Sequence, residues 1–387
     1  LRIVGVQSIG RQAPGHAAEV LTDALDACRR LPSGTDRDAT ELAVRLSLGT
    51  ALVGTNGWHD DGVRHTYERA LDLARQLGAA DEEANARYAL ATISEIHGDF
   101  ERTEQLLMPL IATDNGGLEM EAHELVACST FHQGAFERSE INSSAVLEEW
   151  PEDTPSELMA KVAEHPATSC NSWMSLSNWF MGRSEDSLRR AENAVRLAER
   201  HRYALATAMQ QRAMLHQLRN EPAACLEWAE RTTSLDRDLV SRVRVIQSDL
   251  FAGWARAVTD STTDALGPMA DAIGRLREAG VVLNAPYYVA LFADANLHHL
   301  RVDVAVALLD EAEATIDETT RTYFHRSELA RLRARAEFLL AGPDASSRAR
   351  AELDRSLELA RAMGSPALAL RTISDRLELE SVDGDPA

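Results

Sequence analysis

The feature that most constrains the fold of this chain is a helical hairpin that recurs along most of its length. The clearest copy runs from Pro166 to Arg200. Apolar residues recur there at three- and four-residue spacing, which places them on one face of a helix. Gly182 interrupts the pattern before a second helix of the same kind. Two helices joined by a short turn cannot bury both apolar faces alone, so this hairpin requires similar neighbours.

Further hairpins follow one another, with polar or glycine-containing turns between their helices. Besides the hairpin at 166–200, helices are predicted at 16–31, 41–53, 63–74, 81–97, 100–111, 118–133, 136–147, 156–164, 203–219, 222–235, 239–258, 263–279, 286–300, 302–316, 323–340, 346–363 and 366–379. Several turns are about 35 to 50 residues apart, the spacing of two-helix solenoid repeats. The sequence therefore predicts an all-α solenoid, and the alternative is a compact globular helical domain.

The predicted solenoid spans residues 16–380, with a candidate subdivision near the proline-bearing stretch 150–165. Residues 1–15 carry a pattern interrupted by glycine and proline, which predicts a frayed lead-in. Residues 381–387 are predicted to be a disordered tail. Because the chain begins at Leu1 without an initiator methionine, we expect it to be a fragment of a longer protein.

Composition supports the helical prediction and excludes some partners. Aromatic residues make up only 5% of the chain, so core contacts must come largely from Ala, Leu and Val, which suits closely packed helices. The formal net charge is −21, and such an acidic surface repels phosphate backbones, so no direct nucleic-acid binding is expected. No apolar run approaches the roughly 20 residues of a membrane span, so no membrane contact is expected either.

The four cysteines indicate a reducing compartment. Cys28, Cys128, Cys170 and Cys225 are far apart, and each lies in an apolar helical pattern. Free cysteine usually packs as a small buried hydrophobe, and cytosolic thiols stay reduced. We therefore expect four buried thiols in a cytoplasmic protein.

The sequence lacks the common nucleotide-binding motifs. A phosphate-binding loop needs a glycine-rich backbone followed by a lysine that reaches the phosphates. Lys161 is the only lysine of the chain, and no glycine loop lies near it. We therefore expect no cofactor in this segment.

No pattern of metal ligands or catalytic groups stands out. His298 and His299 are adjacent, and neighbours on a helix point about 100° apart, so the pair cannot face one ion unaided. His97 and His132 precede glycines at predicted helix ends, where histidine complements the helix dipole. We predict no catalytic and no metal-binding residue, although an unrecognised helical enzyme with converging His, Asp and Glu is a further alternative.

Two tryptophans are candidate groove or partner contacts. Trp173 fits the apolar stripe of its helix and is expected in the core. Trp179 lies about 100° from Phe180 around the same helix, so it can face outward or toward the concave side of a solenoid. Trp58 falls in a predicted loop and is the best candidate for an exposed contact.

The series of hairpins resembles the C-terminal tetratricopeptide region of large bacterial ATPase-linked signalling proteins. The resemblance rests on Leu46–Leu52, Gly57, Tyr67–Ala74, Trp173–Leu197, Gly253–Ala255, Pro286–Tyr287, Leu291, Glu328–Arg333, Ala351–Glu352, Ser356–Arg361 and Leu368–Arg371. It covers essentially Leu21 to Leu379. Tetratricopeptide repeats favour small residues where their helices cross, and Gly49, Ala91 and Ala194 are candidates for such positions.

In that family the array follows an AAA-like nucleoside-triphosphatase module. One branch carries a class III adenylate or guanylate cyclase domain before that module. The other branch, the LuxR-type regulators, carries a DNA-binding helix-turn-helix after the array. The catalytic motifs lie outside the matched residues, so no catalytic residue carries over.

The resemblance implies a right-handed superhelix that serves as the sensor and interaction arm of a cytoplasmic signalling ATPase, with ATP bound elsewhere in the parent chain. The expected partners are the parent chain's own ATPase, cyclase or DNA-binding modules and a protein or small-molecule effector on the concave face. Because the chain ends soon after the last matched segment, the cyclase-linked branch is favoured. A LuxR-type arm and a stand-alone protein-protein scaffold are the alternatives.

Overall fold

The described part of the chain is entirely helical. The computed structural model describes residues 2–10, 13–112, 118–150, 166–199, 201–235, 242–316, 323–340 and 345–383. Within these ranges the chain forms nineteen α-helices and no β-strand, which confirms the all-α prediction. None of these helices combines the length and the apolar character needed to cross a membrane.

The chain divides into two compact units, Leu1–Val126 and Ala127–Ala387, here called unit 1 and unit 2. The helices are α1 (Arg2–Gly10), α2 (Pro14–Cys28), α3 (Thr35–Asn56), α4 (Asp61–Leu77), α5 (Ala80–Ile96), α6 (Phe100–Ala112), α7 (Glu119–His132), α8 (Phe136–Glu149), α9 (Pro166–Phe180), α10 (Ser184–Ala198), α11 (Arg202–Leu218), α12 (Pro222–Thr233), α13 (Arg242–Thr259), α14 (Leu266–Glu278), α15 (Ala285–His298), α16 (Val302–Ala314), α17 (Arg326–Leu340), α18 (Ala345–Ala362) and α19 (Pro366–Asp383). The division between the units falls inside α7. The subdivision near 150–165 and the helix at 156–164 stay predictions, because residues 151–165 lie outside the described ranges.

In unit 1, consecutive helices from α1 to α6 pack against each other, and α3 also contacts both α1 and α5. Close helix contact at Gly49 makes this packing possible. A Cβ atom at Gly49 would lie 2.5 Å from the Tyr67 ring, so glycine lets α4 approach α3 closely. Ala91, on α5, is fully buried. Both small residues therefore lie in helix packing, as predicted.

Both ends of the chain are more helical than predicted. Residues 2–10 form α1, where the glycine-interrupted pattern predicts a frayed lead-in. Gly5 does not break this helix, because it serves a close contact instead: a Cβ atom there would lie 2.5 Å from Cγ of Leu21 on α2. At the other end, α19 continues to Asp383, so residues 381–383 do not belong to a disordered tail, and residues 384–387 lie outside the described ranges.

In unit 2, consecutive helices from α8 to α19 pack in order, and a second set of contacts joins alternate helices. Each member of the series α9, α11, α13, α15, α17 and α19 contacts the next member, and α9 also contacts α19. These six helices therefore form an inner layer that closes on itself. All fifteen residues of α9 are buried, which follows from its position against α8, α10, α11 and α19.

Candidate ligand-binding site

A cavity lies among the inner helices of unit 2, where α9, α11, α15, α17 and α19 meet. Its lining residues are Phe180, Gln217, Leu218, Tyr287, Ala290, Leu291, Asp294, His325, Glu328, Leu332, Leu368 and Arg371. About 20 Å³ is open to the centres of water molecules, which is room for at least one ordered water. The wall combines apolar side chains with charged and hydrogen-bonding groups.

The cavity exists because the first and last inner helices of unit 2 meet. Gly182 ends α9 with a φ of +79°, a conformation that suits glycine, and the chain turns there beside Pro366. The Ser365 hydroxyl donates a 2.8 Å hydrogen bond to the Phe180 carbonyl. Arg371 Nη1 donates to the Leu218 carbonyl at 3.4 Å. Through these contacts α19 closes the inner layer.

A buried ion-pair network forms one side of the cavity. The Glu328 carboxylate accepts hydrogen bonds from Arg331 Nε at 3.0 Å and Arg331 Nη2 at 2.6 Å. Arg371 Nη2 lies 3.1 Å from the same carboxylate, and Arg331 also pairs with Asp375 on α19. Burial alone would raise the pKa of Glu328, but the two guanidiniums outweigh burial and lower that pKa to about 2. Glu328 therefore stays ionised and ties α17 to α19.

Asp294 extends this network to α13 and along α17. Its Oδ2 accepts a 2.9 Å hydrogen bond from Nε1 of Trp254. Its Oδ1 accepts one from Arg335 Nη1 at 3.1 Å. Trp254 is almost fully buried at 1% exposure, so Asp294 satisfies an indole N–H that would otherwise be costly to bury. Asp294, the second carboxylate of the cavity wall, thus also accepts hydrogen bonds from its neighbours.

His325 is the exception to this pairing. Its side chain is 3% exposed, yet neither ring nitrogen has a hydrogen-bond partner within the described residues. Its ring meets the Tyr323 ring edge-on at a centroid distance of 4.4 Å. Burial, followed by the proximity of His132, lowers the pKa of His325 well below its ordinary value. The ring is therefore neutral, with one donor and one acceptor unused in the cavity wall.

Tyr287 and Gln217 form another polar part of the cavity wall. The Tyr287 hydroxyl donates a 2.6 Å hydrogen bond to Oε1 of Gln217. Burial raises the pKa of Tyr287 well above its ordinary value, so the hydroxyl keeps its proton. The side-chain nitrogen of Gln217 makes no hydrogen bond with the described residues. Gln217 therefore presents two unused N–H donors beside the cavity.

Aromatic rings of unit 2 support the end of the cavity at Phe180. Phe136 stacks on Phe180 with ring centroids 4.4 Å apart. Phe324 lies 5.8 Å from Phe180 and 5.6 Å from Tyr287, and it is fully buried. The Phe324 amide donates a 3.1 Å hydrogen bond to the His132 carbonyl. The segment before α17 is therefore fixed against the end of α7, and this contact positions His325.

Neither of the predicted contact residues lines this cavity. Trp58 is half-buried in the turn between α3 and α4 of unit 1. Trp179 is 8% exposed and packs edge-on against Phe180 at 4.8 Å, so Phe180 rather than Trp179 lines the cavity. Their role in binding stays a prediction. Trp173 is 9% exposed, and its ring lies 5.2 Å from Phe131, which confirms its place in the core.

The histidines predicted to complement helix ends have the expected geometry. Nδ1 of His97 lies 2.8 Å from the Ile93 carbonyl. Nδ1 of His132 lies 2.9 Å from the Cys128 carbonyl. Each ring thus contacts a carbonyl near the C-terminal end of its own helix, where the negative end of the helix dipole lies. All four cysteines are buried, again as predicted.

The sequence did not identify the polar residues of the cavity as functional. His325, Glu328 and Arg371 carry no motif, and Glu328 and Arg371 entered only within segments of the family resemblance. A signal is nevertheless present on α17, where Glu328, Arg331 and Arg335 recur at three- and four-residue spacing. Such spacing puts all three on one helix face, but only the neighbouring helices decide that this face is buried.

Comparisons with known proteins place the chain among helical repeat structures. No protein-family model matches it. An uncharacterized protein of Rhizobium meliloti (strain 1021) is 23% identical over 387 residues, or 98% of this chain, and the chain spans 37% of that relative's length. A Rap protein complexed with competence and sporulation factor matches with a TM-score of 0.57 at 12% identity, covering 98% of both chains. The fold is a tetratricopeptide-type array of helical hairpins.

Two further solved structures agree with this fold. The Rap conjugation gene regulator of plasmid pLS20, in complex with the Phr* peptide, has a TM-score of 0.56 and 12% identity over 94% of this chain and 95% of that chain. A signal transduction ATPase with numerous domains from Pyrococcus horikoshii, which has a tetratricopeptide repeat sensor, has a TM-score of 0.50 and 14% identity. It is matched over 89% of this chain and 50% of its own. The tetratricopeptide prediction is confirmed at the level of the fold.

Proposed function

We propose that this chain is a sensor solenoid that binds a peptide or a peptide segment of a protein inside unit 2. The observation that carries the proposal is the inner cavity, where the 97%-buried ring of His325 and the side-chain nitrogen of Gln217 lack partners within the described residues. Buried polar groups are nearly always hydrogen-bonded. Groups left over inside a folded array indicate that another molecule completes them.

A peptide is the ligand class that best matches this interior. Peptide groups offer a donor and an acceptor at every residue, and the cavity wall offers the same mixture beside apolar surface. Two structures similar to this chain over most of its length are complexes with a peptide or with a competence and sporulation factor. Tetratricopeptide arrays commonly bind through the surface formed by their inner helices.

The proposal also places the chain within a larger cytoplasmic signalling protein. The chain spans 37% of one curated relative and matches half of an ATPase that has a tetratricopeptide sensor. The parent protein would carry an ATPase module that binds ATP, together with a class III nucleotide cyclase. Ligand binding would then favour one arrangement of the array and change the activity of the attached modules, since a ligand shifts an equilibrium only through its differential affinity.

Binding can be tested on the full chain with pools of short synthetic peptides. We expect at least one pool to raise the thermal unfolding midpoint and to bind in a titration. Ala290→Leu adds a larger side chain to the cavity wall and should abolish that binding. Ala362→Leu, on the exposed face of α18, is the matched control and should bind normally. Equal binding by both variants, or no binding by any pool, would contradict an internal peptide site.

The larger assembly is tested separately by the complete open reading frame. An ATPase module with a phosphate-binding loop in the same frame is expected, with a cyclase domain before it. Hydrogen exchange of the full-length protein with and without a binding peptide should then show changes in the ATPase module. A frame that encodes only helical repeats would contradict this part of the proposal.

A further inference from the structure

The polar groups of the inner cavity that lack partners are mainly hydrogen-bond donors. Gln217 on α11 has two unused side-chain N–H groups. His325, just before α17, has one N–H in its neutral form. Arg371 on α19 has a guanidinium with five N–H donors. Three donor groups from three different elements therefore line the same cavity.

Arg371 is less completely paired than Arg331, the other arginine that contacts Glu328. Its contacts are the Leu218 carbonyl at 3.4 Å and one oxygen of Glu328 at 3.1 Å. Arg331, by contrast, binds Glu328 through two nitrogens and also pairs with Asp375. Most N–H groups of Arg371 are therefore available to a molecule in the cavity.

The acidic groups of the wall take up only one of these donors, a nitrogen of Arg371 that lies 3.1 Å from Glu328. Glu328 is occupied by Arg331, and Asp294 is occupied by Arg335 and by the indole of Trp254. While ionised, a carboxylate has no proton to donate, so it can only accept hydrogen bonds. Among the described residues, the contact of Glu328 with Arg371 is the only one that joins either carboxylate to Gln217, His325 or Arg371.

We propose that this cavity is a carboxylate-binding site in which Gln217, His325 and Arg371 donate to the two oxygens of the ligand. A carboxylate has about four acceptor positions and can take all three donor groups, whereas a carbonyl oxygen has only two. Hydrogen bonds from arginine to a carboxylate are also stronger than those to a neutral acceptor. The inference deepens the proposed function, because the C-terminal carboxylate of a bound peptide is one source of this group.

The apolar part of the wall indicates what is attached to the carboxylate. Phe180, Leu291, Leu332 and Leu368 line the same cavity. Such a wall favours a carboxylate that carries an apolar group, as a peptide with an apolar last residue or a free short-chain acid does. The present space of about 20 Å³ has room for about one water molecule, so a larger ligand enters only when neighbouring side chains move.

The test uses the full chain and compares matched probes. The peptide arm compares one pool with free C-terminal carboxylates against the same pool with C-terminal amides. The small-acid arm compares propionate with its neutral isostere propionamide. We expect each carboxylate to bind at least about tenfold more tightly than its amide, which corresponds to one charge-assisted hydrogen bond. The two arms identify whether a peptide or a free acid supplies the carboxylate.

Substitutions test whether the preference for a carboxylate over an amide arises in the cavity. Gln217→Glu removes both donors but keeps an acceptor for the Tyr287 hydroxyl, and His325→Phe keeps an aromatic ring without the donor. Each should weaken carboxylate binding by about tenfold or more and leave amide binding unchanged. Gln211→Glu is the matched control, because Gln211 is buried on the same helix but does not line the cavity. Circular dichroism checks that the variants fold.

The possible outcomes distinguish carboxylate binding from peptide binding. Peptides that bind equally well as acids and amides would overturn the carboxylate site and leave peptide binding intact. Propionate binding that is lost in Gln217→Glu, without binding of any peptide, would support the carboxylate site and overturn the peptide proposal. Carboxylate binding that survives both His325→Phe and Gln217→Glu would place the ligand elsewhere and overturn the inference.

Discussion

Replacing Glu328 by Gln should destabilise unit 2 by about 3–4 kcal/mol. The partners of Glu328 lower its pKa from 4.5 to about 2. At about 1.4 kcal/mol for each pH unit, this lowering corresponds to about 3.5 kcal/mol of native stability. Removing one partner of a buried ion pair costs about 3–5 kcal/mol in general, because the other charge stays buried without compensation. Here Arg371 would lose its only carboxylate contact among the described residues, while Arg331 would keep Asp375.

Urea unfolding followed by tryptophan fluorescence measures this loss. Five of the six tryptophans belong to unit 2, so the signal reports chiefly on that unit. The difference between the native chain and Glu328→Gln should shrink as the pH falls below 4.5 toward 2, because the native carboxylate then takes up its proton. Glu352→Gln is the control, since its partner Arg355 is 45% exposed and such pairs contribute about 0–1 kcal/mol. A loss below about 1 kcal/mol for Glu328→Gln, or equal losses for both variants, would refute the buried network.

Packing and burial lead to four further predictions. Below pH 6.5 His325 takes up a proton in the unfolded chain but not in the folded one, where burial lowers its pKa, so the native state should lose stability as the pH falls. In urea titrations His325→Phe should reduce this loss by up to about 1.4 kcal/mol per pH unit. Gly49→Ala should destabilise unit 1 by about 1–3 kcal/mol through its clash with the Tyr67 ring, measured by hydrogen exchange of α3 and α4 amides. Gly274→Ala, with open space around its Cβ, should instead stabilise α14 by about 0.5–1 kcal/mol, and a loss of stability there would contradict the packing. Ser365→Ala should lower the stability of unit 2 by about 1–2 kcal/mol, because it removes the hydrogen bond to α9 and the cap of α19. An unchanged urea midpoint would contradict the stabilising contact between α9 and α19.

Most helices could be predicted from the sequence because their apolar residues recur with the helical period and because polar turns separate them. The predicted and observed ends usually agree within a few residues. The main differences arise where periodicity is absent. The first turns of α3 are polar and exposed, so the helix begins at Thr35 rather than at residue 41. In α1, Gly5 suggested a break, although its role is to admit the Leu21 side chain.

The candidate site could not be predicted from the sequence because it depends on contacts between distant residues. The hydrogen bond from Ser365 to the Phe180 carbonyl joins positions 185 residues apart. Periodicity describes which face of a helix is apolar, but it does not say that α9 and α19 meet. Charged residues such as Glu328 and Arg371 also look like solvent-exposed positions until their partners are known. Burial became possible only because these charges neutralise each other.

The most direct test of the central claim is a hydrogen-exchange map of the full chain with and without a peptide pool that binds. Ligand inside unit 2 should slow amide exchange in the facing parts of α11, α15, α17 and α19, and this protection should disappear in Ala290→Leu. The Ala362→Leu control should retain it. Protection confined to the outer helices α14 and α16, or to unit 1, would contradict an internal ligand-binding site.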